Sequence, residues 1–162
     1  MRLSMAELTP LFSSNRMVRE YVERLYLPAA YAYRQRAADK GAVARQVVAW
    51  RHTLEQNWAN LRFGEVKVET DGGQHLFEVQ VYVNGIDPNG VRVELYADGV
   101  AGNDPVRQEM MRVRQFEDSS VGYVFRGAVP AVLPAADYTP RIIPAFEGAL
   151  VPIEANQILW YR

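Results

Sequence analysis

Between Ser14 and Leu27 the apolar residues Met17, Val18, Tyr21, Val22 and Leu25 recur at intervals of three and four, with Arg16, Arg19, Glu20, Glu23 and Arg24 largely opposite. That spacing puts the apolar set on one face of a helix. Ser13, Ser14 and Asn15 offer side-chain oxygens to the free amides of its first turn. Pro28 lacks an amide donor and disfavours helix at Leu27, so the helix is predicted to end or kink there. A second helical stretch runs from about Ala29 to Asp39 and is stopped by Lys40-Gly41, a basic residue and a cap glycine. The third runs from Ala42 to about Trp58. Its residues Val43, Val47, Trp50, Leu54 and Trp58 form a stripe predicted to serve core or docking packing.

At Phe63 the period falls to two. In segment 75–84, Phe77, Val79, Val81 and Val83 alternate with Glu78, Gln80 and Tyr82; in 91–98, Val91, Val93, Leu95 and Ala97 alternate with Arg92, Glu94, Tyr96 and Asp98. Such alternation marks antiparallel strands with one face buried and one solvated. Further strands are predicted at 63–70, 107–117, 120–129, 138–144 and 157–162. Turn signals separate them: Asp71-Gly72-Gly73, Asp87-Pro88-Asn89-Gly90, Gly102-Asn103-Asp104-Pro105 and Asp118-Ser119-Ser120. Pro130, Pro134, Pro140, Pro144 and Pro152 belong at edges, strand starts or connections, because proline cannot donate to a ladder. The expected fold is α+β: a helical segment, 1–60, then an all-β immunoglobulin-like sandwich of about seven strands, 61–162.

Composition narrows the chemistry. Hydrophobic residues make up 49% and charged residues 23%, as in globular domains. The net charge of −1 gives no overall pull towards nucleic acid or anionic lipid. It is split, however: residues 1–60 carry 9 Lys/Arg against 5 Asp/Glu, and residues 61–162 carry 9 against 14. That division agrees with two regions in different surroundings. The absence of cysteine excludes disulfides and thiolate chemistry. No apolar run approaches the roughly 18–20 residues of a membrane span, and the start lacks a secretory signal, so a cytoplasmic location is expected.

No catalytic or metal-binding constellation emerges. His52 falls on a predicted helix and His75 at a strand start, with no nucleophile ordered around them, so surface or packing roles are expected. Glu117-Asp118 are neighbours on a predicted strand and point apart, unlike a glycosidase pair. Asp87-Pro88-Asn89-Gly90 lacks the spacing of a calcium loop. Gly72-Gly73 is a hairpin signal, not a dinucleotide fingerprint. Arg107, Arg112, Arg114 and Arg126 are interleaved with acids, which disfavours a phosphate-backbone groove.

Two stretches carry a family resemblance. Met1-Arg2-Leu3-Ser4-Met5, followed by Leu8-Thr9-Pro10-Leu11-Phe12-Ser13-Ser14-Asn15-Arg16-Met17-Val18-Arg19-Glu20-Tyr21, resembles the late part of the glycosyltransferase domain of α-1,4-glucan phosphorylases. Asp137-Tyr138-Thr139-Pro140-Arg141-Ile142-Ile143-Pro144, closing with Ile158-Leu159-Trp160-Tyr161-Arg162, resembles the end of their bacterial and archaeal branch, where a β-sandwich follows the catalytic domain. With Val91-Arg92-Val93-Glu94-Leu95-Tyr96 the similarity covers most of the chain. The family holds pyridoxal phosphate on a lysine in a Ser-Gly-Thr-Gly-Asn-Met-Lys type motif. Here the only lysines are Lys40 and Lys67, neither in such a context.

The resemblance therefore implies a C-terminal, non-catalytic accessory module, with no catalytic, cofactor-binding or metal residues of its own. The implied partner is the phosphorylase catalytic domain. The alternative is a glucan-binding module that stacks sugar rings on Tyr82 and Tyr96, the aromatics of the outward strand faces. Cross-strand packing is the competing role for both rings. A helix stripe left uncovered is also expected to drive homo-oligomers of the chain alone.

Overall fold

A computed structural model describes residues 12–99, 104–116 and 121–162. The chain folds as two compact units, one ending at Gln46 and the other spanning Val47–Arg162. The resemblance over residues 1–11 and the Glu117-Asp118 pair lie outside the described residues, as do parts of two predicted turns.

Helix α1, Ser14–Tyr21, begins where the sequence offers a cap: the Ser13 hydroxyl accepts from the Arg16 amide at 3.3 Å. Pro28 does not end the helix. A π-turn at Val22–Tyr26 precedes it, and Leu27, helical at φ −66°, donates five residues back to the Val22 carbonyl. Widening the turn removes the need for the amide that proline lacks. Helix α2, Leu27–Asn57, is broken at Ala38–Gly41, where Asp39, Lys40 and Gly41 take left-handed φ values of 49°, 56° and 77°. The break falls at the predicted stop. Only the glycine enters that region without a Cβ penalty.

Two four-stranded antiparallel sheets form the second unit. The first runs β1 (Arg62–Asp71), β2 (Gln74–Tyr82), β6 (Gly122–Pro130) and β5 (Met111–Gln115) in spatial order. The second runs β4 (Val106–Glu109), β3 (Val91–Ala97), β7 (Thr139–Pro144) and β8 (Leu159–Trp160). Gly72 and Gly73, at φ +55° and +79°, close the β1–β2 hairpin between paired Asp71 and Gln74. Two consecutive positive angles define the turn that matches strand twist. Asp87 Oδ1 accepts from the Asn89 amide at 2.8 Å, so the Asp-Pro-Asn-Gly stretch is a local turn.

The predicted strand 107–117 is two strands. The chain leaves the second sheet at Glu109, buries Met110 and enters the first sheet at Met111. The Met110 amide still donates to the Val93 carbonyl at 2.9 Å. Gly127 makes room for it, since a Cβ there would lie 3.0 Å from Met110 Cγ. The predicted strand 157–162 shrinks to Leu159–Trp160. Among the described residues eight strands result where about seven were expected.

The core is the set that alternation selects: Phe77, Val79, Val81 and Val83 from β2 and its end meet Val93, Leu95 and Ile142 from the other sheet, all buried. Val47, Trp50 and Leu54 of α2 are buried too. The Trp50 indole donates to the Gly90 carbonyl at 2.9 Å and stacks on Phe146 at 5.4 Å between centroids. A Cβ on Gly90 would approach that indole to 3.2 Å. The same carbonyl accepts from the Ala145 amide, so one oxygen ties the helix to the entry of β3 and the exit of β7. At the other end of β7, the Tyr138 hydroxyl donates to the Pro130 carbonyl at 3.1 Å, closing the β6–β7 corner.

Candidate functional site

The first unit presents an uncovered apolar surface. Val18, Tyr21, Val22 and Leu25 lie at i, i+3, i+4 and i+7 and are exposed, as are Tyr26 at the end of the π-turn and Leu27, Tyr31 and Tyr33 beyond it. Beyond the π-turn the exposed residues split between two sides of the helix, Leu27 with Tyr31 on one and, about 200° from Tyr31, Tyr33 on the other. Arginines border both. Among the described residues Arg19, Arg24 and Arg34 make no ion pair, whereas Arg16 reaches Glu20 at 3.3 Å. Tyrosine and methionine interleaved with arginine is an interface composition.

Both sequence-selected tyrosines sit on outward sheet faces, in separate clusters. The Arg62 guanidinium lies over the Tyr82 ring at 4.2 Å, with Phe116 edge-on at 5.4 Å. Tyr96 has Arg141 over its ring at 4.4 Å and Trp160 edge-on at 5.3 Å. One face of each ring is therefore taken by a cation. The Tyr96 hydroxyl donates to Asp98 at 3.0 Å. That bond, then partial burial, then the Asp98 charge raise its pKa above the ordinary 10.0, against the opposing charges of Arg141 and Arg107.

Beneath Tyr96 lies a feature that alternation placed wrongly. Glu94 belongs to the face read as solvated, yet it is 4% exposed. Arg141 holds it with two hydrogen bonds, from Nε at 2.7 Å and from Nη2, to the same carboxylate oxygen. Arg92 approaches its other oxygen at 3.4 Å. A buried carboxylate needs such compensation. It also offsets the like charge of Glu109, which lies directly across the β3–β4 pair.

The outer face of the first sheet holds a groove of about 740 Å³. Strand register builds its floor. Lys67, Glu78, Arg126 and Met111 form one cross-strand row, and Glu69, Leu76 and Ala128 the next. Glu78 and Arg126 pair at 2.6 Å, and Lys67 reaches Glu65 at 3.4 Å. Among the described residues Glu69 makes no ion pair, and Glu109 at the rim meets Arg92 only at 4.0 Å. The groove is thus an aliphatic shelf of Leu76, Ala128 and Met111 beside Glu69, which makes no ion pair among the described residues, and Glu109, held only at long range by Arg92. Sequence reading missed it because Gln108 and Glu109 join it only through the sheet change at Met110.

The histidines are not brought together. His52 is exposed and bonds Gln56 at 2.8 Å. His75 is buried, with Thr70 Oγ1 at 2.8 Å on Nδ1 and the Leu133 carbonyl at 2.9 Å on Nε2, beside the Tyr138 ring. Among the described residues no group of three or more His, Asp or Glu could hold a metal, and no helix is long and apolar enough to cross a membrane.

A helical segment followed in sequence by two antiparallel sheets, an α+β, sandwich-like fold, is the class that these features define. No family model matches the chain. It is similar to the glycogen phosphorylase of Mycobacterium tuberculosis (strain ATCC 25618 / H37Rv), 30% identical over 159 residues, which covers 88% of this chain and 18% of that protein. The glycogen phosphorylase of Mycobacterium bovis (strain ATCC BAA-935 / AF2122/97) matches to the same extent. The maltodextrin phosphorylase of Thermococcus litoralis is 26% identical over 150 residues, covering 89% of this chain and 18% of that protein. The chain is a phosphorylase-related region and spans 18% of the length of these curated relatives.

Proposed function

We propose that the chain is a C-terminal accessory module of an α-glucan phosphorylase and supplies packing surface, not chemistry. The carrying observation is a match spanning 88% of this chain but 18% of the relatives, joined to a helix whose aromatic face is uncovered. The exposed residues Tyr26, Leu27, Tyr31 and Tyr33, spread around the helix, are the surface that the catalytic part of the enzyme encloses. Its lysines, Lys40 and Lys67, lie outside any glycine-rich phosphate cradle, so pyridoxal phosphate belongs to that catalytic part. On this reading the module shares the cytoplasm with its enzyme.

The sandwich, on the same proposal, is immunoglobulin-like. Its strand orders 1-2-6-5 and 4-3-7-8 correspond to the A-B-E-D sheet and the C-F-G sheet with one added edge strand. Tyr138 stands at the corner before the F-equivalent strand and bonds back to Pro130, as a tyrosine corner does. The sugar-stacking alternative gains no support, because a guanidinium already lies over one face of Tyr82 and of Tyr96. Co-purification with the remaining phosphorylase polypeptide tests the proposal: a stoichiometric complex, weakened by Tyr31→Asp with Tyr33→Asp, is expected. A polypeptide that binds none of this chain and is fully active without it would sink the reading.

A further inference from the structure

We infer that the groove on the outer face of the first sheet receives helix α1 of a second copy of this chain. The occupant is identified by complementarity. The groove offers the aliphatic shelf of Leu76, Ala128 and Met111, flanked by Glu69 and Glu109. Helix α1 and the π-turn that follows it offer Val18, Tyr21, Val22 and Leu25 at the i, i+3, i+4, i+7 spacing with which an amphipathic helix enters a groove. Arg19 and Arg24 border that stripe with no ion pair among the described residues. The two surfaces therefore complement each other: apolar residues on both sides, Arg19 and Arg24 on one, and on the other Glu69 and Glu109 beside a Lys67 and an Arg126 already paired with Glu65 and Glu78. The chain-wide split, 9 basic against 5 acidic residues before Leu61 and 9 against 14 from it onward, follows the same division.

Reciprocal exchange, with each helix in the other copy's groove, closes the contact as a two-fold dimer and leaves no open surface to propagate. The residues used, Val18, Tyr21, Val22 and Leu25, are not Tyr26, Leu27, Tyr31 and Tyr33, so the inference stands apart from the phosphorylase reading. Its failure would leave that reading untouched.

Sedimentation equilibrium of the full chain tests it. The wild-type chain should dimerise reversibly, and less tightly as salt is raised. Arg19→Glu with Arg24→Glu, and separately Glu69→Lys with Glu109→Lys, should each weaken dimerisation by about tenfold or more. An equimolar mixture of the two variants should recover a heterodimer, because each then carries the other's missing charge. All four side chains are exposed, so each variant should keep the wild-type circular dichroism. A wild-type chain that stays monomeric overturns the inference. So does a groove variant that dimerises as the wild type does, or a mixture that fails to recover.

Discussion

Trp50 shows how much one residue of the helical stripe contributes. It fills the space under Phe146 and donates to the Gly90 carbonyl, and that oxygen keeps the Ala145 amide if the indole is lost. Trp50→Ala should therefore destabilise the sandwich by about 3–5 kcal/mol through the cavity. Trp50→Phe, which forfeits chiefly one hydrogen bond, should cost about 0.5–1.5 kcal/mol; urea unfolding of both variants checks the ranking. Glu94 and Arg141 invite the complementary measurement. Glu94→Gln leaves the part-buried Arg141 guanidinium without its counter-charge and should cost up to about 3–5 kcal/mol, whereas replacing both partners by apolar residues should cost far less. A double-mutant cycle showing additive losses would contradict that coupling. Tyr96 makes a third test. Its ultraviolet titration should fall above the ordinary tyrosine range, and Asp98→Asn should bring it down. The sign follows: its contribution is complete below pH 10.0 and is lost as pH rises through the raised folded-state value, because the unfolded chain gives up its proton first. These residues also mark the limit of legibility. The outward placement of Tyr82 and Tyr96 is readable from alternation, but their cations Arg62 and Arg141 arrive from other strands, a relation that period cannot carry.

At the scale of elements, the cap at Ser13, the break at Lys40-Gly41 and the alternating strands β2 and β3 are local events, and local residues announce them. Three departures have non-local or competing causes. Pro28 is absorbed by a π-turn because the helix can widen where an amide is missing. The stretch 107–117 divides at Met110 because strand identity there is decided by which sheet offers an open edge, and β5 is exposed along its length, so it carries no burial period. Leu159–Trp160 is short because only Arg141 and Ile142 of β7 pair with it. The helical turns from Val47 to Asn57 carry a prediction of their own. They place three apolar side chains in the core of the second unit, each worth roughly 1.5–3 kcal/mol of burial. A chain shortened to begin at Val47 should unfold cooperatively at close to the full stability of the sandwich. One beginning at Leu61 should lose most of it, since the loss rivals a domain's entire margin of about 5–15 kcal/mol. Equal urea midpoints for the two shortened chains would show that the helix is dispensable.

For the whole molecule, the central claim is that this phosphorylase-related region works by packing. Its helix carries exposed apolar residues on more than one side, its sandwich carries a mixed groove, and among the described residues its two histidines lie apart and no group of three or more His, Asp or Glu could hold a metal. The apolar stripe was legible in the sequence; which partner covers it was not, because a partner's surface leaves no trace in this chain's own period. The most direct measurement is activity and association in one experiment: the remaining phosphorylase polypeptide is produced alone and with this chain, and sedimentation and glucan phosphorolysis are followed together. The account predicts a one-to-one complex, disrupted by substitution of Tyr31 and Tyr33, in which the stability of the enzyme rises while phosphorolysis resides in the larger polypeptide. Phosphorolysis by this chain alone, or a larger polypeptide that neither binds it nor changes in its presence, would contradict the account.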